Sequence, residues 1–285
     1  MYEMTDVVGE DGVRQANPTP SAWLTAAELG RWATEVGMHR AVSGLLPKPD
    51  LGQGRPVLVV PGFGATDGMT KRMRSHLRER GFHVHGWRLG RNYGLTDEIL
   101  DGISHRLERL AERHEEPLIL VGWSFGGLLC RWLAHEHTDQ VRHVVTLGSP
   151  WRAEGERTRV TALFKSAVQI FGVSDRAEDV LDTLRQPLPV PTTAIFSRSD
   201  GLLHWRSCVV EGAHTENVAV PSSHVGLVSN PLALAVLTDR LAHVDSAHVP
   251  FGWRACVRQM FEASPSRPSS QQVPMDPSAV DSGCA

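Results

Sequence analysis

A serine with glycines two residues to either side is the strongest chemical signal in the chain: Gly122-Trp123-Ser124-Phe125-Gly126, with Gly127 next. Gly-x-Ser-x-Gly suits a sharp strand-to-helix turn that strains the serine backbone and lifts its Oγ above the strand ends. A Cβ at either glycine would collide with the turn. The apolar run Leu118 to Val121 precedes the motif and a helical pattern over Phe125 to His135 follows it, which is the setting such a turn needs. There the hydroxyl sits at the positive end of a helix. The chemistry open to such a serine is attack on an acyl carbon.

A serine nucleophile also needs a base, an acid to orient that base, and donors for the developing oxyanion. In this motif class the acid and base follow in the order Ser, Asp/Glu, His. Asp200 lies in Ser197-Arg198-Ser199-Asp200-Gly201, directly after the strand-like run Thr192 to Ser197. His224 lies in Pro221-Ser222-Ser223-His224-Val225-Gly226, after a second run at Asn217 to Val220. One oxyanion donor is the backbone N–H of Phe125. The second is the N–H of Phe63, in Val60-Pro61-Gly62-Phe63-Gly64, where glycines let the backbone approach a substrate closely.

Rivals for these roles are weaker. His204 and His214 fall on the loop between the last two strand-like runs. His135 and His137 sit near a helix C-terminus, where positive charge is favourable. His83 and His85 share a strand face but have no acidic or cysteine partner nearby, so no metal site is expected. Asp175 and Asp182 suit helix-start and surface positions.

The elements that must position these groups alternate. Apolar strands at Val57–Val60, Phe82–Trp87, Leu118–Val121 and His143–Leu147 are separated by helical patterns near Gly68–Arg80, after Thr96, and at Phe125–His135. This rhythm predicts an α/β fold with a mostly parallel sheet flanked by helices. A closing helix spans Pro231 to His243, and an opening one follows Ser21, with apolar Leu29, Trp32, Ala33 and Val36 at helical spacing. Residues 1–20 and 263–285 are polar and Pro- or Ser-rich, and are expected to be disordered around a single domain at 21–262.

Residues 150–187 interrupt the rhythm with two amphipathic stripes and no strand. Val160, Leu163, Phe164, Ala167, Val168 and Phe171 keep helical spacing; Ala177, Val180, Leu181 and Leu184 follow Ser174 and Asp175. This is the place for a small helical cap above Ser124. Its apolar faces line an acyl pocket, with Phe164 and Phe171 against the substrate, or meet a lipid surface, or cover the sheet.

Composition narrows the class. A net charge of −3 and scattered arginines give no footing for nucleic acid. Four cysteines lack metal or disulfide spacing, no stretch is apolar enough to span a bilayer, and Met1 to Pro20 carries no apolar signal region. A cytoplasmic enzyme acting on a small-molecule or lipid ester is the expectation.

The segments Val57–Asp67, Gly122–Gly127, Pro191–Trp205 and Ser222–Leu241 resemble those of bacterial lipases and esterases of the α/β-hydrolase superfamily. The likeness runs over about residues 55 to 245. It implies ester hydrolysis without metal or organic cofactor, through Ser124, Asp200 and His224, with Phe63 and Phe125 at the oxyanion. An acyltransferase or thioesterase would use the same triad, and a catalytically silent relative would keep the fold alone. This chain has Pro61-Gly62 where many lipases have His-Gly.

Overall fold

β1 (Pro56–Val60) and β3 (Leu118–Trp123) are buried along their whole length. Their unbroken apolar sequences are those of central strands covered on both faces. The computed structural model describes residues 20–45, 47–151, 172–245 and 250–261. Within these, β2 (His83–Gly86), β4 (Val141–Leu147), β5 (Thr192–Phe196) and β6 (Thr215–Ala219) complete a six-stranded sheet, ordered β2-β1-β3-β4-β5-β6. Every pairing is parallel.

The helices are α1 (Ala22–Ser43), α2 (Lys71–Arg78), α3 (Asp97–His114), α4 (Phe125–Glu136), α5 (Ala177–Thr183), α6 (Pro231–Ala242) and α7 (Trp253–Phe261). Strand side chains alternate between two apolar layers. Val57, Val59, Ile119 and Val121 join Met73 and Leu77 of α2 and Leu234 and Leu237 of α6. Leu58, Val60, Leu118 and Leu120 join Ile99, Ile103 and Leu107 of α3, Leu129 and Leu133 of α4, and Val180 of α5. Thr96 caps α3 as its sequence predicts, its Oγ1 accepting from the Ile99 N–H.

The order of the strands creates the site. The chain leaves β1 for β2 on one side, then returns past β1 to place β3 on the other. That reversal opens a crevice beyond the carboxyl ends of β1 and β3, where parallel sheets gather functional groups. Register brings Val60 beside Gly122, so the loops after both strands start side by side.

One departure from the sequence pattern matters. The apolar spacing in α1 predicts that Leu29 faces the core, yet Leu29 is 71% exposed and the buried residues of the helix are Glu28 and Glu35. The helix packs against the turn that follows His224 and against α6, and there its buried glutamates accept hydrogen bonds from backbone N–H groups of the loops. In the second stripe of the insertion, Val180 and Leu184 belong to the sheet-covering layer and Leu181 is exposed. The first stripe, with Phe164 and Phe171, lies outside the described residues, as do the termini expected to be disordered. No helix among the described residues is long and apolar enough to cross a membrane.

Candidate active site

Ser124 occupies the one-residue turn between β3 and α4, with φ 52° and ψ −125°. A side-chain-bearing residue pays about 1–3 kcal/mol to be held in such a conformation, and the surroundings must enforce it. They do so by close packing. A Cβ on Gly122 would lie 2.4 Å from the Gly127 Cα, and one on Gly126 would lie 2.3 Å from the Val60 carbonyl oxygen. The Ser124 N–H donates to the Leu147 carbonyl at 2.8 Å, tying the turn to β4. Although Ser124 is the N-cap of α4, its hydroxyl makes no capping bond to the helix.

That hydroxyl instead meets His224: Nε2 lies 2.9 Å from Ser124 Oγ. On the other side of the ring, Nδ1 lies 2.6 Å from Asp200 Oδ2. Asp200 Oδ1 accepts from the N–H groups of Leu202 and Leu203, both at 2.8 Å. The carboxylate is therefore fixed at both oxygens, which leaves the imidazole one orientation. All three residues are buried. The Trp123 indole N–H donates to the His224 carbonyl at 3.1 Å, which fixes the backbone of that residue.

Burial works to lower the pKa of His224, but the charge of Asp200, its hydrogen bond, and the charge of Glu28 outweigh it. The net shift is upward. An imidazole so placed takes a proton readily and is stabilised once charged.

The loop after β1 approaches the serine from the opposite side. A Cβ on Gly62 would lie 3.1 Å from the Ser124 Cβ and 3.2 Å from the Trp123 carbonyl oxygen, so only glycine fits there without displacement. Phe63 follows, and its ring meets that of Phe125 edge-on at 6.0 Å between centroids. Buried Asn92 braces the loop: its Nδ2 donates to the Pro61 carbonyl at 2.8 Å, and its own carbonyl accepts from the Gly64 N–H at 2.7 Å.

The rival residues lie elsewhere. His204 packs against Trp205, at 5.8 Å between rings. Asp175 and Asp182 are exposed, and Asp182 pairs with Arg185. His85 Nε2 contacts His114 Nε2 at 2.8 Å, and the His83 ring lies tilted against the same His114 ring at 5.5 Å between centroids. No group of three or more His, Cys, Asp or Glu side chains among the described residues is arranged to hold a metal ion.

Three polar residues around the site carry no sequence signature. Glu28 and Glu35, seven positions apart on α1, reach the loops bearing Asp200 and His224. Asn92 reads as an ordinary turn residue in Arg91-Asn92-Tyr93-Gly94. The spacing of the two glutamates places them on one helix face, but many surface glutamates share that spacing.

The profile of the alpha/beta hydrolase fold family matches residues 55–167. Pimeloyl-[acyl-carrier protein] methyl ester esterase of Shewanella woodyi is 27% identical over 99 residues, which are 35% of this chain and 38% of that protein. The match thus spans under two-fifths of the relative's length. Among solved structures, Aspergillus fumigatus lipase B superimposes with a TM-score of 0.54 at 19% identity, over 68% of this chain and 54% of that one. The Paleococcus ferrophilus monoacylglycerol lipase gives 0.50 at 16% identity, over 70% and 97%.

Proposed function

Starting from an α/β-hydrolase fold, we propose that this chain hydrolyses carboxylic esters through an acyl-enzyme formed on Ser124. The observation that carries the reading is the unbroken series from Asp200 Oδ2 through His224 to Ser124 Oγ, with steps of 2.6 and 2.9 Å. As Oγ attacks the ester carbonyl, its proton passes to His224 Nε2. Asp200 keeps Nδ1 protonated and stabilises the imidazolium. The carbonyl oxygen becomes an oxyanion, for which the N–H groups of Phe63 and Phe125 are the proposed donors. Collapse of the tetrahedral intermediate breaks the bond to the alcohol, which leaves with the proton from Nε2. Water then repeats the sequence: His224 takes its proton, its oxygen attacks the acyl carbon, and Ser124 leaves reprotonated with the acid as product.

The base must be neutral to act, and its pKa is raised above the ordinary 6.5. Activity should therefore fall as pH drops through a value above 6.5, with kcat/KM against pH as the measurement. For the acyl group, the stripe from Val160 to Phe171 supports short- to medium-chain esters, with Phe164 and Phe171 as the proposed contacts. Each CH₂ buried there contributes about 0.8 kcal/mol, close to fourfold in kcat/KM. The methyl ester esterase that matches over 99 residues supports a small alcohol on the leaving side.

The test is a panel of p-nitrophenyl esters and thioesters of increasing chain length, with and without alcohol acceptors. Ester turnover rising with chain length and yielding free acid is the expected result. Preferred transfer to an alcohol, or preference for thioesters, would move the reading to an acyltransferase or a thioesterase. Turnover that persists in Ser124→Ala would reject it.

A further inference from the structure

We infer that Glu28 is a positioning residue for the reaction: from helix α1 it clamps together the two loops that carry Asp200 and His224. The inference rests on the triad reading above. Glu28 Oε1 accepts from the Gly201 N–H at 2.8 Å and from the His224 N–H at 3.0 Å. Its Oε2 accepts from the Val225 N–H at 3.3 Å. One carboxylate thus bonds the residue after the acid, the base itself, and the residue after the base. These loops belong to different strands, and the acid–base distance depends on how they meet.

The approach of α1 is close enough to dictate sequence on the loops. A Cβ on Gly201 would lie 2.4 Å from the Leu24 carbonyl oxygen and 2.8 Å from Glu28 Oε1. Around this clamp, Thr25 Oγ1 donates to the Gly201 carbonyl at 2.6 Å, and Arg31 donates to the Ser199 carbonyl at 2.6 Å and to Ser199 Oγ at 2.9 Å. About two turns beyond Glu28, Glu35 accepts from the Ser223 N–H at 2.7 Å, from Ser223 Oγ at 2.6 Å and from Asn230.

A buried carboxylate that accepts only backbone N–H groups is costly to desolvate unless all its bonds are kept, so its geometry is sharply defined. That definition is what a base needs, because small displacements of a catalytic group cost large factors in rate. The charged groups that face His224 are Asp200 on the loop after β5 and Glu28 on α1; Arg31 lies 3.8 Å from Glu28 and offsets part of its charge. Trp123 and Ser124 at the turn between β3 and α4 are neutral, and Glu35 reaches the loop only through Ser223, the preceding residue, and Asn230. Glu28 therefore acts twice, through hydrogen bonds that set the loops and through a charge that favours the imidazolium.

The two actions separate by substitution. Glu28→Gln keeps an oxygen for Gly201 and His224 but removes the charge, whereas Glu28→Ala removes both. Active sites are counted by fluorophosphonate titration, so kcat refers to competent molecules alone. Glu28→Ala should lower kcat by about ten- to a hundredfold with KM within about twofold of wild type. In Glu28→Gln the acid limb of the kcat/KM profile should move to lower pH. Glu35→Gln, a buried carboxylate lost from the same helix face, should lower the Tm and leave that limb in place. A limb unmoved in Glu28→Gln, or a kcat per active site within about twofold of wild type in Glu28→Ala, overturns the inference. If Glu28→Ala does not fold, the limb in Glu28→Gln decides. Wild-type protein that neither labels nor turns over esters overturns the hydrolase reading and this inference together; a labelled, active wild type confines any failure to Glu28.

Discussion

Helices α1 and α6 pack against each other beside the turn that follows His224, yet they are held by opposite means. α6 starts at a well-formed cap, with Pro231 at its first turn and the Asn230 side chain accepting from the Leu232 and Ala233 N–H groups. It buries Ala233, Leu234, Val236, Leu237 and Leu241 against the sheet. α1 buries Glu28 and Glu35 and leaves Trp23, Leu29 and Met38 exposed. Apolar burial has no direction and tolerates small shifts, so α6 secures the fold. Hydrogen bonds to loop N–H groups are directional, so α1 sets where the loops sit.

The comparison can be broken at several points. The largest effect belongs to His224, the proposed base, beside the turn that both helices contact: His224→Ala should lose at least about a thousandfold in kcat, and adding Ser124→Ala should cost little more, because the proposed triad would act as a unit. Steady-state kinetics on the single and double variants measure this. Next is Leu237→Ala in α6, fully buried in wild type. It should destabilise by about 2–5 kcal/mol in urea unfolding while kcat per active site stays near wild type. A large kcat loss there would mean that α6 also sets the geometry.

A pH-dependent effect of intermediate size separates the two helices further. Burial pushes His76, bonded to Thr238 of α6, down to about 2, and burial pushes His143 down to about 4. Both are neutral when folded and take a proton when unfolded below the ordinary 6.5. Their contribution to stability is present above pH 6.5 and is lost as pH falls toward the folded values. Each should cost roughly 1.4 kcal/mol per pH unit between 6.5 and about 4. In urea titrations at stepped pH, His76→Gln should flatten that slope by one proton. The smallest effect is expected on the outer face of α1. Leu29→Ser should change stability by no more than about 0.5 kcal/mol, since Leu29 is 71% exposed. A loss of several kcal/mol would restore the amphipathic reading of that helix.

These differences also explain what the sequence showed. The strands were legible because central parallel strands are unbroken apolar runs. The position of Ser124 was legible because it follows such a run, and those of Asp200 and His224 because each follows a shorter strand-like segment ending at the same sheet edge, although β6 is the polar edge strand. Strand bounds shifted by up to two residues, as at β6, observed over Thr215–Ala219 and expected over Asn217–Val220. α1 was legible as a helix, through its Ser21 cap, but not in its orientation. Periodicity detects apolar faces, and this helix docks with carboxylates. Asn92 was hidden for a related reason: its partners are backbone groups brought near only by the fold.

The central claim is that Ser124 carries the acyl group during turnover. Rapid acid quench of the enzyme with a p-nitrophenyl ester, followed by peptide mass spectrometry, tests it most directly. The account predicts a burst of p-nitrophenol and one acyl mass on the peptide containing Ser124, both absent in Ser124→Ala. An acyl mass on another residue, or a burst that survives in Ser124→Ala, would contradict it.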